Sequence, residues 1–233
     1  MRAFFTPNRN RFSLTTLFKP LCCLLAVMTL FLLSGCKKEI DYFTYVSELR
    51  SNILLAETED FSLKIYGVFK EYPYAADGIP HETSNRCEVR LLAVDGAENY
   101  RITFRYQDKE YGGDMSYDNV KSEYYFSCTL NISQCASLPC IIEYGDSRVE
   151  LNALSIVNSS TLSPKKILEN VRQENEELFA SMTDKYGFTG EIYIRLLFED
   201  ACYYYVGVID RAGKVNAFLV NATTGKIIAQ RQP

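Results

Sequence analysis

Between about Tyr45 and Val157, apolar residues recur at every second position. Phe61, Leu63, Ile65, Gly67 and Phe69 alternate with Ser62, Lys64 and Tyr66. Cys87, Val89 and Leu91 alternate with Glu88 and Arg90, and Tyr100, Ile102, Phe104 and Tyr106 with Arg101, Thr103 and Arg105. A period of two puts one face of each segment in a core and the other in water, the pattern of antiparallel strands. Further strands are expected at about 122–131, 138–144 and 148–156, with turn signals at Asp95-Gly96, Gly112-Gly113 and Gly145-Asp146. Segment 42–56 fits either a helix, through Phe43, Val46, Leu49 and Ile53, or a strand pairing back onto 60–70; the strand is preferred. Six or seven short strands at this spacing predict an antiparallel β-sandwich over residues 42–157.

The period then changes. Residues 158–163 form a polar linker, and Ser163-Pro164 has the form of a helix start: a capping hydroxyl, then a proline whose missing N–H costs nothing in the first turn. Ile167, Leu168, Val171, Leu178, Phe179 and Met182 share one helical stripe. One helix of about 22 residues is expected, stopped at Gly187. Alternation then resumes in 192–198, 202–209, 215–220 and 227–228, across turns at Glu199-Asp200, Asp210 to Gly213 and Ala222 to Gly225. Residues 164–233 therefore read as one long helix packed on a three- or four-stranded antiparallel meander. The fold class expected overall is mainly β with α+β.

The N-terminus changes the picture. The first twenty residues carry Arg2, Arg9, Arg11 and Lys19 and no acid, and about thirteen apolar residues follow before Ser34. A spanning helix needs roughly 20 apolar residues, so this segment has the form of a secretion signal. Its end, Leu33-Ser34-Gly35-Cys36, resembles the lipobox of bacterial lipoproteins. The resemblance implies a signal peptide over 1–35, cleavage before Cys36 and lipidation of its thiol. It also implies a tether over 36–41 and a body held at the outer, extracytoplasmic face of a cell membrane. Each buried methylene contributes about 0.8 kcal/mol, so two or more acyl chains anchor where one does not. Lys37 and Lys38 would lie beside the headgroups. Nearer the C-terminus, KVNAFLVNATTGKIIAQ resembles the closing strand, turn and strand of PepSY-type domains, envelope units linked to peptidase restraint. A cystatin-like helix and meander fits the same pattern, and no functional residue carries over.

Without its leader the chain keeps 21 Lys and Arg against 29 Asp and Glu, a net charge of −8. This is an acidic body poorly suited to nucleic acid. Past Cys36 it holds Cys87, Cys128, Cys135, Cys140 and Cys202, an odd number that forbids complete internal pairing. Cys135 and Cys140 flank a short loop that a disulfide could close. Free thiols, or a zinc cluster with His81 or Cys87, are the other readings, although the spacing lacks a tight C-x2-C pair. His81 is the sole histidine and lies in a polar loop, so no histidine-rich metal site or Ser-His-Asp triad can be built around a second one. Ser163 to Lys166 matches S-x-x-K and Thr224 to Lys226 matches T-G-K, but the partner motifs of both are missing. Asp77, Asp95, Asp114, Asp118 and Glu143 offer carboxylates without singling out a pair, and Asp114 with Asp118 could hold calcium only in an irregular loop. Tyr203, Tyr204 and Tyr205 are a candidate binding surface. The function expected is a membrane-tethered, non-catalytic binding or interaction module, without cofactor or metal, whose partner is an envelope protein or peptide. An envelope hydrolase using carboxylates not identifiable here is the alternative.

Overall fold

The computed structural model describes residues 40–71, 81–94 and 99–232. The leader, Cys36, Asp77 and the Asp95-Gly96 turn lie outside the described residues. A 3-10 turn over Tyr42–Tyr45, capped by the Asp41 carboxylate, leads into β1 (Val46–Glu57). The strand reading of the ambiguous segment is therefore correct from Val46 onward. Next come β2 (Phe61–Glu71), β3 (Thr83–Ala93), β4 (Arg101–Tyr106), β5 (Lys109–Asp114), β6 (Ser116–Asp118), β7 (Glu123–Cys128), β8 (Ser137–Tyr144) and β9 (Ser147–Ser155). Helices α1 (Pro164–Glu174) and α2 (Glu176–Ser181) precede a small hairpin of β10 (Thr183–Asp184) and β11 (Gly187–Phe188). The chain closes with β12 (Glu191–Phe198), β13 (Cys202–Ile209), β14 (Val215–Asn221) and β15 (Ile227–Arg231).

The fold is mainly β, and its antiparallel sheet nearly closes like a barrel. β1, β2, β3 and β7 form one wall; β9, β8, β4 and β5 form the other. One seam is hydrogen-bonded, where Leu54 and Leu55 of β1 pair with Ser155 and Leu154 of β9. At the other seam β5 lies beside β7 without a ladder, and Gly113 lets the Phe126 ring approach to where a Cβ would stand. This closure replaces the open sandwich expected from the strand count. The glycine pair expected as a turn lies inside β5, where Gly112 allows the β4 backbone close, within 2.3 Å of a would-be Cβ. The turn falls earlier, at Gln107-Asp108, both of which take positive φ. The enclosed core includes Leu54, Leu63, Ile65, Val89, Leu91, Tyr100, Ile102, Phe104 and Ile142.

The same sheet continues past β1 in the other direction. Val46 to Arg50 pair in parallel with β12, and β12, β13, β14 and β15 form the antiparallel meander. Helices α1 and α2 cover it through Ile167, Leu168, Val171, Phe179 and Met182, packed on Ile192, Ile194, Leu196, Val206 and Phe218. The single long helix expected is broken. Asn175 turns its side chain onto the Val171 carbonyl at 2.9 Å and leaves helical geometry (φ −133°), so α1 ends there. α2 stops at Ser181, six residues before Gly187, because Ser181 and Thr183 hydroxyls take the Leu178 and Phe179 carbonyls. Gly187 sits instead in the β10–β11 hairpin. The helix start is as expected: Ser163 Oγ accepts the Lys166 N–H and Pro164 is the first helical residue. The Thr224-Gly225-Lys226 segment turns around the Asn221 side chain, and the Gly225 carbonyl accepts a hydrogen bond from the Asn170 side-chain amide of α1.

Asn52 fastens the loop that fills the barrel end. Its amide donates to the Ile132 and Cys135 carbonyls at 2.9 and 2.8 Å and accepts the Ser155 hydroxyl at 2.7 Å. Ile132, fully buried, lies over Gly67, where a Cβ would meet it at 3.1 Å. Replacing Asn52 by Ala strips both carbonyls of their donor, and Asn52→Ala is expected to lose about 2–4 kcal/mol. Urea unfolding should register this as a lower midpoint at unchanged slope.

Candidate functional site

The sequence scatters its charges, yet the sheet gathers a set of them on its outer face, opposite the barrel core. Glu48 and Arg50 come from β1, Lys64, Tyr66 and Lys70 from β2, Arg86, Glu88 and Arg90 from β3, Glu123 and Tyr125 from β7, and Tyr193 and Arg195 from β12. Arg195 grips Glu48 with two bonds, Nε to Oε1 at 2.8 Å and an Nη to Oε2 at 2.6 Å. Lys70 pairs with Glu88 and Arg90 with Glu123. Arg86 donates to the Ser127 hydroxyl at 2.9 Å. The aromatic rings interleave with these cations. The Arg50 guanidinium lies 4.5 Å from the Tyr66 ring centre, and that of Arg195 lies 4.4 Å from Tyr193. Gly207 makes room for the Tyr193 ring, which passes where a Cβ would be.

Arg50 differs from its neighbours. All three carboxylates just named are committed to other cations, and no carboxylate lies within ion-pair distance of Arg50 or Lys64 among the described residues. The Arg50 Nε is buried without a hydrogen-bond partner. Burial lowers the Arg50 pKa, and the nearby Tyr66 and Glu48 only partly offset it. Burial likewise raises Tyr66. The face is therefore locally positive on an acidic protein.

The tyrosine triplet divides across the sheet. Tyr203 and Tyr205 are half-buried on the outer face, and Tyr205 stacks on Tyr193 at 5.7 Å. Tyr204 belongs to the helix-side core: it is 1% exposed, donates its hydroxyl to the Leu162 carbonyl, and has a pKa pushed up to about 12 by burial. It leaves the expected binding surface, because alternate strand residues point to opposite faces. Tyr193 is also pushed up to about 12, first by burial and then by its hydrogen bond to Tyr205.

The cysteines form a second cluster. Cys87, Cys135 and Cys140 are buried in the barrel core, with half-buried Cys128 packed against it. All are free thiols: Cys135 donates to the Ser137 carbonyl and Cys140 to that of Leu138, each at 3.2 Å. Cys140 is pushed up to about 12 by burial. Cys87 stands directly across the β3–β7 ladder from Cys128 and donates its thiol hydrogen bond to it. That bond, helped by Arg86, lowers the Cys128 pKa despite its burial and raises that of Cys87. Cys202 is apart, against the Ile156 carbonyl in the helix-side core.

The remaining candidates take ordinary places. His81 is exposed, its backbone N–H bound to the Glu71 carboxylate. Asp114 pairs with Arg101 at 2.9 Å, and Asp118 accepts the Val120 and Lys121 N–H groups. Among the described residues no three His, Cys, Asp or Glu side chains are grouped to hold a metal ion. A hollow of about 550 Å³ on the outer side of β4, β8 and β9 includes Glu110 and Glu150 in its lining. Both are exposed, and Glu150 pairs with Arg148. The arginine face was missed in the sequence, although a signal exists: Glu48, Arg50 and Arg195 are charges inside strands that are otherwise largely apolar. No helix among the described residues is long and apolar enough to cross a membrane. No protein-family model matches the chain, and no curated protein or solved structure is significantly similar to it.

The hydrogen bond from Cys87 sets the order of thiol reactivity, since the thiolate is the nucleophile. Under native conditions iodoacetamide is expected to label Cys128 ahead of Cys87, Cys135 and Cys140, as read by peptide mass spectrometry. In Cys87→Ala the pH midpoint of Cys128 labelling should move upward, because the bond that favours its thiolate is gone.

Proposed function

We propose that this chain is a bacterial lipoprotein, anchored by lipid on Cys36 to the extracytoplasmic face of a membrane, whose body serves as a non-catalytic binding module. The observation that carries the location is the order basic leader, short apolar core, Leu33-Ser34-Gly35-Cys36. What supports binding rather than catalysis is the chemistry of the outer face. Arginines and tyrosines there supply contact area and charge at fixed positions on strands. In this reading residues 42–157 form the display scaffold and 164–233 a PepSY- or cystatin-like unit joined to it, and the partner is an envelope protein or peptide rather than nucleic acid. The alternative, an envelope hydrolase, could draw on carboxylates such as Glu110 and Glu150, which border one hollow; both are exposed and Glu150 pairs with Arg148.

Protein isolated from its native host should begin at Cys36 and carry the mass of a diacylglyceryl group with or without a further acyl chain. Cys36→Ala should retain the leader. An unmodified thiol at Cys36, or an intact N-terminus in the wild-type protein, would defeat the tether. Crosslinking on intact cells should then capture a partner through the outer face, and capture should fall in Tyr205→Ala.

A further inference from the structure

The pairing of β1 with β12 ends at Arg50 opposite Arg195. Beyond that point β1 turns to pair with β9, while β12 runs on through Leu197 and Phe198 to the turn at Glu199. The two strands part, and a cavity of about 100 Å³ opens in the fork. Arg50, Lys64 and Tyr66 give it a cationic, hydrogen-bonding end; Leu55, Leu197 and Phe198 give it an apolar wall. Glu199 also borders the cavity, and pairs with neither cation.

We propose that this fork binds a carboxylate on a short aliphatic tail, with the Arg50 guanidinium as its principal anchor. Three observations converge. Arg50 and Lys64 both line the cavity and both lack a carboxylate partner among the described residues, whereas Glu48, Glu88 and Glu123 on the same face are each paired with another cation. The Arg50 guanidinium makes no hydrogen bond or ion pair among the described residues; its Nε is buried, so a carboxylate would be taken by the Nη donors. Arg195, one strand away, already grips a carboxylate with two donors, that of Glu48. The Tyr66 ring beneath Arg50 holds the guanidinium in place. The volume suits a head group and a tail of two to four carbons, with the apolar wall facing the tail. The carboxylate could belong to a free acid or to the C-terminus of a peptide.

This deepens the binding reading and rests on it for the role of the ligand, but not for the site. The tether is read from acyl mass on Cys36, so either can fail alone. The test uses the full chain and sodium butyrate as probe, by saturation-transfer and chemical-shift NMR. Butyrate should shift the Arg50 Nε–H resonance, while butyramide, equal in size but neutral, should bind at least about tenfold more weakly. Arg50→Met should lose butyrate binding by a similar factor. Arg50→Lys should fall between, since a point charge lacks the paired donors. Lys64→Met, at a half-exposed site, should also weaken it. Acetyl-Gly-Val with a free carboxylate competing with butyrate, when its amidated form does not, would assign the site to peptide termini; butyrate binding without that competition would assign it to small acids. The proposal is overturned by equal binding of butyrate and butyramide, by sulfate matching butyrate, by wild-type affinity in Lys64→Met and Arg50→Met variants that keep the wild-type unfolding midpoint, or by no response to butyrate.

Discussion

Strand β1 is the element on which the rest of the structure depends. It borders β2 along its length, β12 through its first half and β9 near its end. A bulge at Ser51 lets one strand serve both cores. Before it, Glu48 and Arg50 point to the outer face; after it, Asn52 and Leu54 point into the barrel. An extra residue in one strand reverses the phase of every side chain that follows. Without that reversal Leu54 would face water and Asn52 could not reach the loop at Ile132. The barrel seam and the helix-covered meander are thus two outcomes of one local irregularity.

The ionic contacts reinforce this choice of register more than they add stability. Glu48 and Arg195 are largely buried, with side chains 10% and 32% exposed, so the cost of removing them from water offsets much of their attraction. A slip of one residue in β1 against β12 would turn Glu48 toward Ile194 and the helices and leave Arg195 without its partner. The penalty for an unpaired buried charge therefore falls on the wrong register. Ser47, fully buried, adds to the same selection by donating its hydroxyl to the buried Glu191 carboxylate at the start of β12. Arg50 and Lys64 take no part in this selection: among the described residues neither pairs with a carboxylate, and the Arg50 guanidinium packs on the Tyr66 ring instead.

Period-two alternation made most strands legible, because the face each residue takes depends only on its neighbours in sequence. The stripe Ile167, Leu168, Val171, Phe179 and Met182 located the helical segment for the same reason. What escaped were effects of partners distant in the chain. Gly112-Gly113 reads as a turn until β4 is seen crossing closely over it. The Asn175 break needs the Val171 carbonyl as a competing acceptor, and helical periodicity carries straight through it. Barrel closure depends on β9 reaching Leu54 and Leu55, a contact about a hundred residues long in sequence that no local pattern encodes. The arginine face was invisible for a related reason: alternation assigns Glu48, Arg50 and Arg195 to a polar side, but only the register puts them side by side. Tyr203, Tyr204 and Tyr205 show the limit from the other direction, since alternation separates the middle ring and the fold then buries it.

The thiols carry the same lesson into chemistry. Counted along the chain, five cysteines cannot all pair, and nearness in sequence selects Cys135 with Cys140. The fold sets Cys202 aside in another core and leaves four around the barrel interior, an even number. Within that group the ladder places Cys87 opposite Cys128, and directly opposed residues of antiparallel strands have Cα atoms about 4.5–5.5 Å apart, inside the range a disulfide spans. Cross-strand geometry therefore ranks this pair above the one that sequence proximity suggests. Of the two, Cys128 is half-buried and Cys87 fully buried, so Cys128 is the sulfur more open to an incoming oxidised thiol. A chain exported past a membrane meets oxidising conditions that a cytosolic one does not. In the reading proposed above, the thiol state of Cys87 and Cys128 follows from the compartment that the leader and Cys36 select.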